Sequence, residues 1–476
     1  MTNVAVIPID NRPICYDLIE DILSTDNNIN IHMPDLSLLG GLCSSSNIEG
    51  LFNFIESLPH VDYFVVALDT LAYGGLVTSR RCEESFDTIK KRIEKLKNII
   101  PKNARVLAFS SVMRISNNNI NEEEKPYWAQ YGKKIFEWSY EKGKEVWKYG
   151  IKDTNELYTY IPPSLSPSSI PPEILDDYLN TRKRNFEINK LYLDMAREGF
   201  FDTLIFSKDD CAQFGLNVEE AIELENIIKR DNILNTYIKT GADEIPLTLL
   251  ARALSRGYDI KINPLFIEPQ GTNLISKYED ISIKDCILSQ ISLAGLEVSK
   301  KCDLEMIVNN FQSEQGDLVL GDRINSVQKN IYFPKTPYFI ADVNNANGAD
   351  CNLIEQLLKQ KTNNFFGYSG YNTSANTIGS AILSAVVKYI AIKNNSYNDN
   401  NFKKIQFIRL LDDWAYQAIS RKYVRNSAPE FQKALLDKTN ELNNNAKKIS
   451  DFLNYQPQKI NYSLPWERSF EIRIKV

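Results

Sequence analysis

The chain has 476 residues, of which 43% are hydrophobic and 24% charged, as expected for a globular protein with a large core. Its net charge of −6 and its lack of a long Lys/Arg run argue against a nucleic-acid-binding surface. Its seven scattered cysteines form no CxxC pair, and two histidines, His32 and His60, are too few for a multi-histidine zinc site.

The first residues lead directly into an apolar pattern at Val4, with no basic segment followed by a long apolar one. We therefore expect no signal peptide. No apolar run approaches the length of a membrane span. We expect a cytoplasmic protein that binds neither membrane nor nucleic acid.

Short apolar runs alternate with longer amphipathic stretches, and those at residues 86–100 and 218–229 have the period of a helix. Such alternation, with continuously apolar strands, indicates a parallel sheet covered by helices. We predict strands at VAVIPI (4–9), INIHM (29–33), YFVVAL (63–68), RVLAF (105–109), TLIF (203–206), TYI (236–238), IKINPLFI (260–267), LEMIVN (304–309), YFIA (338–341) and FFGY (365–368).

These elements place the chain in the α/β class. Because seven or eight strand–helix units follow one another without a break, we favour a (β/α)₈ barrel-like core with an appended α/β lobe and C-terminal helices. Two doubly wound α/β domains are the alternative. The predicted divisions are a core at residues 1–275, a lobe at 276–395 and a helical and irregular segment at 396–476.

Two segments interrupt the alternation. The prolines and serines of residues 158–173 predict a long loop, either a lid or a surface connection, and residues 394–401 predict a polar loop. After the second loop, residues 409–421 have a helical pattern. Arg409 and Asp413 lie four residues apart there, which predicts a surface pair, with Trp414 packed in the core.

Polar side chains, most of them acidic, follow nearly every predicted strand. Ligands bind at the carboxyl ends of parallel strands, so these side chains are candidates for one site. Helix capping explains any single acid, but several directly follow buried apolar residues, where an unpaired charge is costly. The candidate substrate-binding residues are Asp10, Arg12, Asp69, Arg114, Asp243, Glu244, Asp342, Tyr371 and Asn372.

The adjacent acids Asp209 and Asp210 are the sharpest signal. One carboxylate can stay ionised while its charge holds the other protonated. Acid-catalysed cleavage of a glycosidic bond needs this combination, a proton donor beside an anion. The same pair could instead bind Mg²⁺ or Mn²⁺, or form a turn.

Two later segments each contain a strand, a polar turn and a helix. The first, ADVNNANGAD, predicts a helix that begins at Asp350. In the second, GYNTSANTIG, the polar side chains of Tyr371 and Asn372 could bind sugar hydroxyls. Free backbone N–H groups at the start of its helix could also hold a phosphate or a carboxylate.

The chain has no Walker, GxGxxG, HExxH or GxSxG motif, which argues against the corresponding enzyme classes. The set IPIDNRP, ALDTLAYGG, SKDDCAQFG, TGADE, ADVNNANGAD and GYNTSANTIG resembles domain-of-unknown-function family 4127, which is bacterial. The resemblance extends from Val4 to about Arg421. It implies no particular reaction.

The chain is more distantly similar to barrel glycosidases that cleave N-acetylhexosaminides with help from the substrate's acetamido group. By this resemblance, Asp209 would orient the acetamide and Asp210 would protonate the glycosidic oxygen. Tyr371 and Asn372 would support the acetamide or the sugar hydroxyls. The chain lacks the tryptophan-rich pocket of those enzymes, so tyrosines would take its place.

We therefore expect a glycoside hydrolase with Asp209 and Asp210 as catalytic residues, no metal or cofactor, and a small-molecule or oligosaccharide substrate. One alternative is a metal-dependent hydrolase that uses Asp10, Asp69, Asp209 and Asp342 as ligands. Another is a non-catalytic sugar or anion binder. All three require acids from distant parts of the chain to meet in one pocket.

Overall fold

A computed structural model describes residues 1–149, 169–323 and 330–476. A strand forms at every one of the predicted apolar runs, so these predictions are confirmed. The strands are β1 (Thr2–Ile7), β2 (Ile29–His32), β3 (Tyr63–Ala67), β4 (Arg105–Val112), β5 (Thr203–Lys208), β6 (Thr236–Thr240), β7 (Lys261–Phe266), β8 (Glu297–Val298), β9 (Leu304–Asn309), β10 (Gly316–Asp317), β11 (Tyr338–Asp342), β12 (Asn345–Ala346), β13 (Phe365–Ser369), β14 (Asn461–Ser463) and β15 (Arg473–Lys475).

The helices lie mostly between consecutive strands. They are α1 (Asp17–Leu23), α2 (Ile48–Glu56), α3 (Leu68–Tyr73), α4 (Leu76–Arg81), α5 (Phe86–Ile99), α6 (Trp128–Tyr149), α7 (Pro172–Arg197), α8 (Leu216–Arg230), α9 (Ile245–Leu254), α10 (Ile283–Leu293), α11 (Cys351–Leu357), α12 (Ser374–Lys393), α13 (Asp399–Leu410), α14 (Arg421–Asn426) and α15 (Phe431–Leu453). Helices α5 and α8 confirm the two predicted amphipathic stretches. The side chain of Ser85 caps α5 by accepting from the N–H of Thr88, which satisfies a donor at the helix start.

The two predicted loops are shorter than expected where the structure describes them. Residues 158–168 lie outside the described residues, and α7 begins at Pro172, so Pro172 and Glu173 are helical. Proline suits the first turn of a helix because an N–H there has no helical acceptor. The polar loop at 394–401 ends early, because the side chain of Asn398 caps α13 at Asp399.

The first six strands form one open parallel sheet in the order β2-β1-β3-β4-β5-β6. The α/β class and the parallel pairing are confirmed. The barrel is not confirmed, because β2 and β6 are the edges of this sheet and β7 pairs elsewhere. Strand order reverses between β1 and β3, and ligands of open α/β sheets bind at such a reversal.

A second parallel sheet has the order β13-β11-β9-β7-β8. Read from β8, its order repeats the pattern of the first sheet, with a reversal between β7 and β9. Two doubly wound sheets, which were the alternative architecture, therefore describe the strand order better than a barrel. Strand β7 lies within the predicted core at residues 1–275 but pairs in this second sheet; the division into three units stays a prediction.

One hydrophobic core joins the two sheets. It contains Val4 and Val65 of the first sheet, Met306 and Phe339 of the second, and many side chains of α9 and α12. Burial of each large aliphatic or aromatic side chain contributes roughly 1.5–3 kcal/mol. Helix α12 is long and apolar enough to cross a membrane, but 89% of its apolar window is buried, as in the core helix of a soluble protein.

The C-terminal region is helical before it becomes irregular, as predicted. Residues Leu411–Ser420 form a π-helix between α13 and α14, and β14 and β15 pair antiparallel. Trp414 packs in the core, as predicted. The predicted surface pair is wrong in its location, because Arg409 and Asp413 are both buried and bind one another there.

Candidate active site at the ends of the first sheet

The carboxyl ends of neighbouring strands in the first sheet carry most of the candidate residues. Because all six strands are parallel, the loops that follow them emerge at the same edge. This edge includes the reversal between β1 and β3. The residues that follow the strands are Asp10 and Arg12 after β1, Asp69 after β3, Arg114 after β4, Asp209 and Asp210 after β5, and Asp243 and Glu244 after β6.

Ion pairs connect most of these residues into one arginine–carboxylate network. Arg12 lies 2.6 Å from Asp243 and 3.8 Å from Glu471. Arg468 extends the network, because it lies 2.6 Å from Glu471 and 2.7 Å from Glu123. The network consists of Arg12, Arg80, Arg114 and Arg468 together with Asp10, Glu123, Glu124, Asp209, Asp210, Asp243 and Glu471.

Carboxylates outnumber arginines in this network. If every carboxyl group were ionised, a largely buried region would hold uncompensated negative charge, which is costly. Such a region lowers its free energy by keeping a proton on one or more carboxyl groups. The carboxyl group of Asp210 is well placed to hold such a proton.

Asp209 and Asp210 differ in their partners. Asp209 lies 3.3 Å from Arg80 and 3.8 Å from Arg114, whereas Asp210 lies 2.9 Å from Arg114 alone. Burial and the charge of Asp209 raise the pKa of Asp210 to about 7, against the opposing effect of Arg114. Arg114 is a weak counterion for Asp210 because it also binds Glu123 and Glu124. The pair therefore contains one carboxyl group that can carry a proton near neutral pH.

Arg12 occupies the space between Asp10 and Asp243. Its Nε donates to Asp10 at 2.8 Å, and its two terminal nitrogens donate to Asp243 at 3.1 and 2.6 Å. Asn372 donates to Asp243 from the other side at 3.0 Å. Burial raises the pKa of Asp243, and Arg12 opposes the rise.

One group of described residues has the spacing of a metal site. Ligand atoms of Asp10, Cys15 and Asp243 lie within 4.8 Å of one another. The guanidinium group of Arg12 already binds both of these carboxylates, and burial raises the pKa of the Cys15 thiol, which disfavours the thiolate. Among the described residues, Asp10, Asp69, Asp209 and Asp342 do not form such a group, so that ligand set is not supported.

Two predicted residues, Asp69 and Glu244, are not members of the network. Asp69 accepts from the Ser111 backbone N–H at 2.8 Å, and burial raises its pKa to about 6. Glu244 accepts from Gln290 at 3.0 Å, and burial raises its pKa well above the usual value. These hydrogen bonds indicate that both side chains support the strand ends.

Two other predicted residues come from the second sheet, because Asp342 ends β11 and Tyr371 follows β13. Asp342 accepts from Asn309, from Tyr368 and from the Asp350 backbone N–H, and burial raises its pKa to about 8. Asp350 caps α11 as predicted. Tyr371 is buried and donates to the carbonyl of Phe470. Asp342 therefore has structural partners within the second sheet, whereas Tyr371 lies within electrostatic range of Arg12 and Glu471 of the network.

A cleft of about 550 Å³ opens beside the network. Of the predicted residues, Asp210, Arg114 and Asn372 line it. Residues 466–470 form another wall, although they lie at the opposite end of the chain. Asp210 is the catalytic candidate that reaches this space, with 27% of its side chain exposed, against 16% for Asp209.

Strained backbone conformations surround the cleft. Asp210 has a φ of 37°, Tyr278 of 68°, Asn347 of 65° and Trp466 of 56°. Residues other than glycine rarely adopt this left-handed backbone conformation, and such strain concentrates at functional sites. All four residues line the cleft.

Several residues of this site carry no recognisable signal in the sequence. Glu123 lies within a run of three glutamates that resembles a solvated surface, and Arg80 lies inside α4 rather than directly after a strand. Arg468 and Glu471 lie in the C-terminal segment, where no periodic pattern marks them. Only the charge-rich sequence WERSFE at 466–471 could have drawn attention to that segment.

Comparison with known proteins agrees with the motif resemblance. No curated protein and no solved structure matches the chain. The sequence model of one family matches residues 4–475, which extends the resemblance beyond Arg421 through the C-terminal segment that walls the cleft. The chain therefore belongs to the family described as protein of unknown function (DUF4127).

Proposed function

We propose that this protein is a glycoside hydrolase in which Asp210 is the general acid. One observation carries the proposal: two adjacent carboxyl groups lie at the cleft, and only Asp210 combines exposure to the cleft with a pKa raised to about 7. A general acid works best when its pKa lies near the working pH. Asp209 stays close to Arg80 and serves as the anion of the pair.

In the proposed reaction, Asp210 gives its proton to the glycosidic oxygen while the bond from that oxygen to the anomeric carbon breaks. The leaving group departs as an alcohol. Positive charge develops on the sugar, and Asp209 stabilises it. Water then adds its hydroxyl to the anomeric carbon and returns a proton to Asp210, so the enzyme is regenerated.

An N-acetylhexosaminide would place its own acetamido oxygen on the anomeric carbon before water enters. Asp209 would then orient the acetamide rather than face the sugar cation directly. This finer assignment is supported by the adjacency of the two acids. The strand order of the two sheets gives it no further support, because it differs from a barrel.

The remaining network residues position the pair. Arg114 contacts both Asp209 and Asp210 and lines the cleft, so it is suited to bind substrate as well. Asn372 lines the cleft and links it to Asp243 and Arg12. We propose that the enzyme acts in the cytoplasm on a small or oligomeric carbohydrate.

The test is turnover of a panel of chromogenic aryl glycosides by the full chain and by Asp210→Asn. We expect Asp210→Asn to lose roughly 10²- to 10⁴-fold in kcat, as for removal of a general acid. Asp259→Asn is the matched control, because Asp259 is 77% exposed. Equal turnover by wild type and Asp210→Asn would eliminate Asp210 as the acid.

A metal-dependent hydrolase is the second candidate, and the spacing of Asp10, Cys15 and Asp243 favours it. Activity that disappears with EDTA and returns with Mg²⁺ or Mn²⁺ would support this candidate over acid catalysis by Asp210. If activity survives EDTA, the reaction needs no metal ion, and the guanidinium group of Arg12 is the cation between Asp10 and Asp243.

A further inference from the structure

Arg421 is a buried cation at the cleft that forms no ion pair with a carboxylate of the described residues. Its side chain is 2% exposed and donates from one terminal nitrogen to the Asn347 carbonyl at 3.1 Å. Its other terminal nitrogen is buried without a hydrogen-bond partner. Among the described residues, no carboxylate lies within ion-pair distance of Arg421. Asp317 acts on Arg421 only at longer range, and the Phe470 ring lies 5.7 Å from its guanidinium carbon. A buried cation without an ion-pair partner is unfavourable, so its retention at a cleft points to a ligand.

The start of α12 lies at the same part of the cleft. Asn372 and Thr373 line the cleft, and the side chain of Thr373 does not cap the helix. Glu279 accepts from the Ala375 N–H, whereas the neighbouring Ser374 and Asn376 N–H groups have no acceptor among the described residues. A 20-residue helix places partial positive charge at this end. Asn347 connects this helix start to Arg421. Its carbonyl accepts from Arg421, and its backbone N–H donates to the carbonyl of Asn372.

The cleft therefore has acidic and basic side chains in one lining. Asp210 and Glu123 line it together with Arg421 and the exposed Arg425. Tyr278 also lines the cleft and interacts electrostatically with both Asp210 and Arg421. The acid pair and Arg421 therefore belong to the same cleft.

We propose that the substrate carries an anionic group, a carboxylate or a phosphate, which Arg421, Arg425 and the start of α12 bind. This inference rests on the proposed function and names the substrate class: a glycoside of an acidic or phosphorylated sugar. The guanidinium group of Arg421 has a free N–H to donate, and a guanidinium can bind either oxyanion through two nitrogens. The acid pair would then act on the glycosidic bond of the bound sugar.

Binding of glucuronate and of inorganic phosphate tests the anion site without turnover. Isothermal titration of the full chain at low salt is expected to show binding of one of them, which tells a carboxylate site from a phosphate site. Arg421→Gln is expected to weaken that binding roughly 10- to 100-fold, as for loss of a hydrogen bond to a charged group. Arg425→Gln removes an exposed side chain and therefore tests the site even if Arg421→Gln does not fold.

The matched control is Arg230→Gln, because Arg230 pairs with Asp231 on the surface, outside the cleft. It should bind the anion as wild type does. Absence of binding of both anions by wild type would overturn the inference, and so would equal binding by wild type and both cleft variants.

Kinetics separate this inference from the proposed function. A p-nitrophenyl glucuronide and its neutral glucoside, or a glycoside with and without a 6-phosphate, are compared in wild type and Arg421→Gln. We expect Arg421→Gln to lower kcat/KM for the anionic member only. If wild type cleaves no glycoside of the panel, or if Asp210→Asn cleaves as fast as wild type, yet anions still bind through Arg421, the proposed function fails and the anion site stands. If neutral glycosides are cleaved through Asp210 but neither anion binds, the anion site fails alone.

Discussion

Replacing Arg12 with methionine tests whether the network is a balanced set of buried charges. The side chain of Arg12 is 8% exposed, and its nitrogens contact Asp10 at 2.7 Å and Asp243 at 2.6 Å. Methionine fills a similar volume without charge. The substitution therefore leaves two buried carboxylates next to each other with no cation between them.

Removal of one partner from a buried ion pair typically costs about 3–5 kcal/mol, because the other charge remains buried and unpaired. We expect Arg12→Met to lower the free energy of unfolding by about that amount at pH 7. Arg12→Lys keeps the charge but cannot contact both carboxylates with a planar fork, so it should lie between wild type and Arg12→Met.

The cost should depend on pH in a defined direction. Burial raises the folded-state pKa of Asp243 above the unfolded value of about 3.9, and loss of Arg12 removes the cation that opposes this rise. A carboxyl group with a raised folded pKa destabilises the fold as pH rises from the unfolded pKa through the folded one. The deficit of Arg12→Met should therefore be large at pH 7 and should shrink as pH falls toward 4.

Urea unfolding followed by tryptophan fluorescence at pH 7 and pH 5 measures this difference. Adding Asp10→Asn and Asp243→Asn to Arg12→Met should recover most of the loss at pH 7, because neutral amides need no counterion. The reasoning is refuted if Arg12→Met unfolds within about 1 kcal/mol of wild type at pH 7, or if its deficit is the same at both pH values.

Two other predictions concern the site and its support. Burial raises the pKa of Asp210 to about 7, and this acid must be protonated to act. We therefore expect kcat/KM for an aryl glycoside to fall about tenfold per unit above that pH, and a rate that stays flat to pH 9 would contradict this role. Gly241 has a φ of 97°, and a Cβ there would lie 1.9 Å from Glu244 Oε1, so Gly241→Ala should lower the thermal midpoint. Gly257→Ala is the control, because Gly257 has a φ of 85° but nothing lies within 4 Å of the added atom. An equal decrease of the thermal midpoint in both variants would show that Glu244 moves aside without cost.

Much of the site was predictable because α/β folds place ligands at one edge. The positions of Asp10, Asp209 and Asp243 after apolar strands predict a shared pocket, and the network confirms their proximity. Asp342 also follows an apolar run, but it lies outside the network, because its strand belongs to a second sheet with its own edge. A rule about strand ends applies to one sheet, and sequence pattern does not tell how many sheets the strands form.

The sequence by itself determined where ten of the strands lie, that these pair in parallel and that acids follow many of them, because alternation of apolar runs with amphipathic stretches is a local property. Only the tertiary structure decided which acids share counterions. Arg12 binds Asp243 across 231 residues of sequence, and Arg468 binds Glu123 across 345. Such contacts depend on strand order and on where the C-terminal segment packs. These are set by burial and charge balance over the whole molecule, so no local pattern contains them.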